Sequence, residues 1–368
     1  MEMALGGRSF LGTFCLVLIA IAGLFAIDAF LAKTERTESA VEAARLFEQG
    51  RDLMQRGEYA SAIDRIEDAL SIERDNLDYE RVLAQAQLAA GRVADAESRL
   101  RDLLQTDPTD GLASLIMARA LAKEARFEDA TSYFHRAIYG HWSADAAGNR
   151  LRVRLELIDL LAQRNSKEEL LAELLAVQDQ LPGDLETRIR IGRLFLAAGS
   201  PARAADVFRR ILHDDPVAGG AYAGLGEAEF ARGNYRSAQR DFLAALRFAP
   251  DNQAARQHLD LCGDILKLDP TIRGLSTPER FGRSIKLVEL TLEDATQCVG
   301  PTPSPQLQEL MDAARKTLKE HLRVSRQGEA LEANLDLAEQ LWQARKAECK
   351  AALSGENPLA LVLSKLAQ

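Results

Sequence analysis

The chain has 368 residues, 47% of them hydrophobic but only 6% aromatic, so its apolar share is mostly Ala and Leu. That length suits one extended solenoid or two compact domains, and the bias toward small and unbranched residues favours tightly packed helix pairs over a β-sandwich. A formal charge of −9 and an isoelectric point near 5.3 argue against a sequence-independent hold on nucleic acid.

After a short tail (1–9), Phe10 to Ile27 run without a charge, and Ala29-Phe30-Leu31 extend the run past Asp28. Eighteen helical residues rise roughly 27 Å, close to the hydrocarbon thickness of a bilayer. The run predicts a transmembrane signal-anchor helix over 10–31, with 32–42 as a polar juxtamembrane linker. A signal peptide cleaved after Ala20-Ile21-Ala22 is the alternative, weakened because the apolar run continues past that site. A buried core helix is the third reading, and it lacks the polar stripe of a surface helix. Arg8 and the α-amino group on one side nearly balance Lys33 and Arg36 on the other, so charge alone does not set the orientation.

Self-similarity begins at Ala43. The clearest unit, Gly219–Asn252, carries Tyr222, Leu225, Gly226, Gly233, Tyr235, Ala238, Phe242, Ala245 and Pro250. Small residues at unit positions 8, 20 and 27 let two helices cross closely. Aromatic residues at 17 and 24 fill the space between pairs, Gly233 ends the first helix, and Pro250 stops the second. Starts at 43, 77 and 111, and again at 185 and 219, are each 34 residues apart. A divergent unit at 151–184 keeps its breakers at Asn165 and Pro182-Gly183 but puts Leu where small residues stand elsewhere. Its start slips by the length of Asp145–Arg150, which reads as a longer loop or as an extension of the next helix. Gln253–Leu268 forms one amphipathic helix that caps the stack, with Cys262 on its apolar stripe as a buried thiol.

This pattern resembles the tetratricopeptide repeat (TPR) over 43–268. The resemblance implies an all-α TPR α-solenoid, a right-handed superhelix of helix pairs, whose first helices line an inner groove through unit positions 2, 5, 9 and 12. Those positions give the candidate partner-binding residues Phe47, Arg51, Met54, Arg81, Gln85, Leu115, Arg119, Arg152, Asp159, Ile189, Arg193, Glu227 and Phe230. Recurring arginines beside apolar positions suit a peptide with carboxylates and hydrophobic anchors. Internal pairing of the same arginines with nearby Asp and Glu is the competing reading. The carboxylate clamp of chaperone-binding TPR domains places Lys at position 5 and Asn at 9 of the first unit. Phe47 and Arg51 stand there, which disfavours that ligand. Anchor plus repeats is similar to membrane-anchored bacterial envelope TPR proteins. This implies a non-catalytic scaffold at the inner membrane, its C-terminal bulk outside the cytoplasm, binding a protein or peptide; self-association stays open.

Beyond Pro270 the repeat ends, and 271–368 read as a C-terminal helical module. One helix starts near Thr277, the expected N-cap, and runs to about Cys298. The Pro-rich stretch from Gly300 to Pro305 breaks the chain. Two more helices follow, Gln306 to about Gln327 and Glu329 to about Leu353, before a short apolar tail after Pro358. Cys298 and Cys349 each close a predicted helix. Antiparallel packing would bring them together for a disulfide in an oxidising compartment, and two free thiols fit the sequence equally well. No CxxC, HExxH, GxSxG, SxxK or phosphate-loop signature occurs, so no cofactor, metal or catalytic site is expected. An enzyme is the least favoured class, and its site would have to lie in this module.

Overall fold

The structure is a computed structural model describing residues 30, 33–178, 184–298, 303–321, 327–349 and 357–367. The expected anchor (10–31, Phe30 apart), the 1–9 tail and the Pro182-Gly183 breaker lie outside the described residues. Among the described residues no helix is long and apolar enough to cross a membrane. The chain divides into two compact units, Met1–Leu160 and Leu161–Gln368. Both are all-α, built of stacked helix pairs, with no strand among the described residues.

The first unit opens with α1 (33–55) and continues through α2 (Tyr59–Ile72), α3 (Leu77–Ala89), α4 (Val93–Thr106), α5 (Gly111–Lys123) and α6 (Phe127–Tyr139). The boundary to the second unit falls inside α7 (Ala146–Gln163). Short polar side chains start the first helix of a pair. The Asn76 carboxamide oxygen accepts from the backbone N–H groups of Asp78 and Tyr79, and the Asp110 carboxylate accepts from Ala113 N–H at 2.9 Å. The residue at unit position 15 is left-handed in every pair that is resolved. Gly57 and Gly91 occupy it at φ +79° and +81°, but so does Ala125 at φ 57°. An alanine there strains the backbone for lack of a glycine. Ala125→Gly is therefore expected to stabilise the chain by about 0.5–1 kcal/mol, and Gly91→Ala to destabilise it by about as much. Urea melts of the two variants check this; Gly91 has open space around it, so only the backbone changes.

Within the register slip at Asp145–Arg150, Asp145 is left-handed at φ 41° and the rest is helix: α7 begins at Ala146 and is longer than α3 and α5. Trp142 stands where proline is expected and closes α6 differently, its indole N–H donating to Ala137 O at 2.9 Å. Gly111 is required beneath it, because a Cβ at that position would lie 2.5 Å from the indole nitrogen.

The second unit contains α8 (Lys167–Val177), α9 (Leu185–Ala197), α10 (Pro201–Asp214), α11 (Gly219–Ala231), α12 (Tyr235–Phe248) and α13 (Gln253–Leu268). Phe208 on α10 is fully buried and meets two glycines at once. A Cβ on Gly192 of α9 would lie 2.5 Å from its ring, and Gly224 of α11 presses on the same ring from the next pair. Phe242 repeats the arrangement against Gly226, whose added Cβ would lie 2.7 Å away. Aromatic ring and glycine are thus complementary halves of one contact. Cys262 is fully buried on α13, and burial pushes its thiol up to about 11, consistent with an inert core thiol.

Four further helices pack on the end of this stack: α14 (Thr277–Cys298), α15 (Pro305–Glu320), α16 (Gln327–Glu348) and α17 (Pro358–Leu366). The N-cap of α14 is one residue earlier than expected. Ser276 and Glu279 form a reciprocal capping box, Ser276 N–H donating to the Glu279 carboxylate at 2.8 Å. Thr277 has no Glu three residues on, whereas Ser276 does. One core joins Ile265 and Leu268 of α13 to Leu287 and Val288 of α14, Leu341 of α16, and Val362 and Leu363 of α17. Arg283 of α14 donates to the carbonyls of Leu266 and Asp269 at 2.6 and 2.9 Å, satisfying the C-terminal end of α13. Lys365 of α17 donates to the buried Asp269 at 2.6 Å. Burial pushes the Asp269 carboxyl up, but Lys365 and Thr271 outweigh it and hold the group below its ordinary range. Cys298 and Cys349 are joined in a disulfide between the ends of α14 and α16.

Candidate functional site

Within each unit the first helices of successive pairs contact one another, α3 with α5, and α9 with α11 and α13 with α11. They form rows on which the candidate groove residues can be placed individually.

In the first unit, Phe47 stacks on Tyr79 with ring centroids 4.3 Å apart, and the Arg51 guanidinium lies 6.0 Å from the Phe47 centroid. Arg51 also pairs with Glu48 at 2.9 Å, one turn away. Met54 packs beside Phe47 on the same cluster, while Gln85 is exposed. Arg81 is mostly buried and held between Asp78 and Asp110. Arg119 donates two parallel hydrogen bonds to Glu156 of α7, from Nε at 2.9 Å and Nη2 at 2.6 Å. Leu115 is buried, Asp159 is half-buried, and the exposed Arg152 donates to Asn149 at 2.7 Å. The arginines of this unit are therefore engaged within the protein, and the bidentate pair fixes α5 against α7.

The second unit differs. Ile189 and Arg193 line a cleft of about 680 Å³ on α9 whose other apolar members are Leu185, Leu194 and Ala197. Arg193 is exposed and enters none of the ion pairs described in the structure. Next along the row, burial raises the Glu227 carboxyl above its ordinary range, while Arg193 and His258 pull it back. Phe230 stands edge-on to Tyr235 and His258, with centroids 5.2 and 5.5 Å away. A guanidinium beside an apolar cleft can hold a carboxylate and an adjacent hydrophobic side chain.

The sequence reading missed Glu156, Asp110 and His258. Asp110 and Glu156 follow their arginine partners by 29 and 37 residues, close to one repeat. Opposite charges spaced near one repeat are the signal that would have found them. Among the described residues no group of three His, Cys, Asp or Glu is placed to hold a metal ion.

Comparison with known proteins agrees with this architecture. A family profile described as tetratricopeptide repeat matches residues 53–120 and 87–141, and a second so described matches 189–255. No curated protein matches the sequence. Solved structures to which the chain is similar include YrrB, described as a TPR protein with an unusual peptide-binding site. It is 17% identical with a TM-score of 0.41, over 52% of this chain and 95% of that one. The C-terminal part of a TPR repeat-containing protein from Cytophaga hutchinsonii is 12% identical with a TM-score of 0.46, over 66% and 95%. MamA MSR-1 is 23% identical with a TM-score of 0.35, over 47% and 95%.

Proposed function

We propose that this chain, which carries tetratricopeptide repeats, is a non-catalytic scaffold that takes a peptide or protein segment on the row of first helices in its second unit. The carrying observation is Arg193: an exposed inner-row arginine that, like Arg152, lies outside every described ion pair, but that, unlike Arg152, stands beside an apolar cleft lined by Ile189. Arg51, Arg81 and Arg119 already satisfy carboxylates of their own chain, so the partner's carboxylate is assigned to Arg193 and its hydrophobic anchor to the cleft. An extended segment with an acidic residue next to a Leu- or Phe-like side chain is the ligand class this chemistry suits.

Two features support a place at a bacterial membrane with the repeats outside the cytoplasm. The uncharged run from Phe10 to Ile27 has the length of a spanning helix, and a disulfide between Cys298 and Cys349 persists in oxidising compartments. Assembly or quality control at the cell envelope is the role proposed for such a tethered scaffold.

Site-specific photocrosslinking from Ile189 in cells tests the reading. A partner should be captured, and Arg193→Glu should cut that capture by roughly tenfold, the loss expected when a paired charge is reversed. Undiminished capture from the variant would sink the groove assignment. Capture of the chain itself would replace the partner with self-assembly.

A further inference from the structure

We propose that the open groove between α15 and α16, a surface separate from the row of first helices, docks a basic amphipathic helix of a partner protein. In the C-terminal helices, α14, α15 and α16 pack against one another, and their inward residues, among them Leu307, Met311 and Ala314 on α15 and Leu331, Ala338 and Leu341 on α16, are buried. Beside these buried residues, α15 and α16 enclose an open groove of about 890 Å³. Its floor is apolar: Leu310 and Leu337 are half-buried there, and Ala313 and Ala344 are small enough for a third helix to approach closely. The lining residues, apolar and polar together, recur at three- and four-residue spacing along both helices, so that each helix turns one face to the groove.

The rim selects the occupant. Glu309, Asp336 and Glu339 line the groove, the remaining polar residues are glutamines, and no lysine or arginine lines it. A helix whose apolar stripe is flanked by Lys or Arg would bury the leucines and meet three carboxylates. A second copy of this chain, docked groove to groove about a two-fold axis, would instead face like charges. The neighbouring α17 does not compete, because it packs on α13, α14 and α16 and completes the shared core.

The test uses the full chain and a fluorescently labelled model peptide of about 18 residues, built of Leu and Lys as an amphipathic helix. The same peptide with Glu for Lys, and one with the Leu and Lys order scrambled, serve as controls. The Lys peptide should raise fluorescence anisotropy saturably while the controls do not. The triple variant Glu309→Lys, Asp336→Lys, Glu339→Lys should weaken binding at least about tenfold, and Leu337→Gln should weaken it too. The triple variant Glu58→Lys, Asp64→Lys, Glu67→Lys changes net charge identically on the exposed face of the first unit and should leave affinity within about twofold. Circular dichroism establishes that each variant is folded. Equal loss in both triple variants, no binding by the Lys peptide, or equal binding by the controls would overturn the proposal. So would sedimentation showing a dimer that Leu337→Gln dissolves, since the occupant would then be a second copy.

Discussion

Phe208→Ala is expected to lower the stability of the second unit by about 3–5 kcal/mol, the usual loss when a buried phenylalanine leaves a cavity. The ring is fully buried between α9 and α11, and both helices have given up their side chains to admit it, at Gly192 and Gly224. Neither glycine can refill the space, so collapse around the cavity is limited. Because repeat stacks hold together through neighbouring interfaces, the loss should appear as an early transition of this unit ahead of the rest. Urea unfolding followed by far-ultraviolet circular dichroism reads it directly. The complementary change is equally informative. Gly224→Ala alone should destabilise by overpacking, and Phe208→Leu should partly rescue it by shortening the obstructing side chain. If the double variant is no better than the sum of the singles, ring and glycine are not coupled as described.

Loss of the Cys298–Cys349 disulfide is the second large effect. The bond closes a loop with a sequence separation of 51, and α15 lies wholly within it. The chain-entropy relation for a loop of that length gives about 4 kcal/mol of stabilisation, acting mainly by restricting the unfolded chain. The Cys298→Ser, Cys349→Ser variant should therefore melt its C-terminal helices well below the parent, and reductant should move the parent toward the variant. Intact mass after alkylation, with and without reductant, establishes the bonded state. Coincident melts of parent and variant would mean that the core of Leu287, Val288, Leu341 and Val362 holds these helices without the bond.

Much of the repeat was legible because its constraints are local and chemical. Glycine or alanine must stand where helices cross, an aromatic ring must fill the gap, and Asn or Asp must start a first helix, so Asn76, Asp110, Asp184 and Asn252 fall just ahead of their units. Ala125 hid a turn that Gly57, Gly91, Gly199 and Gly233 advertise, because strain at a left-handed alanine leaves no mark in composition. Asn165 meets the same demand at φ 56°, an angle asparagine tolerates, and it marks the turn even where the small-residue pattern has gone. The site was less legible than the fold. Whether Arg119 is open to a ligand depends on Glu156, and Arg193 is left outside the described ion pairs although the Glu227 carboxyl feels its charge. Those facts belong to helix stacking, not to the identity of unit position 9. The α15–α16 groove was invisible for a related reason. Leu307 and Leu310 both fall at helical spacing, and only the packed bundle shows that Leu307 is fully buried while Leu310 is half-buried at the groove.

The docking of α17 on α13 has a consequence in time. Lys365 and Asp269 are 96 residues apart in sequence, with three helices between them. A ribosome adding about 5–20 residues per second needs some 5–20 s to cover that distance, whereas a helical segment forms in microseconds. The repeats can therefore be complete while the side of α13 carrying Ile265 and Leu268 still awaits its cover. For those seconds the nascent stack ends in an adhesive edge, and the pace of emergence, more than the strength of any contact, sets how long neighbouring chains can reach it.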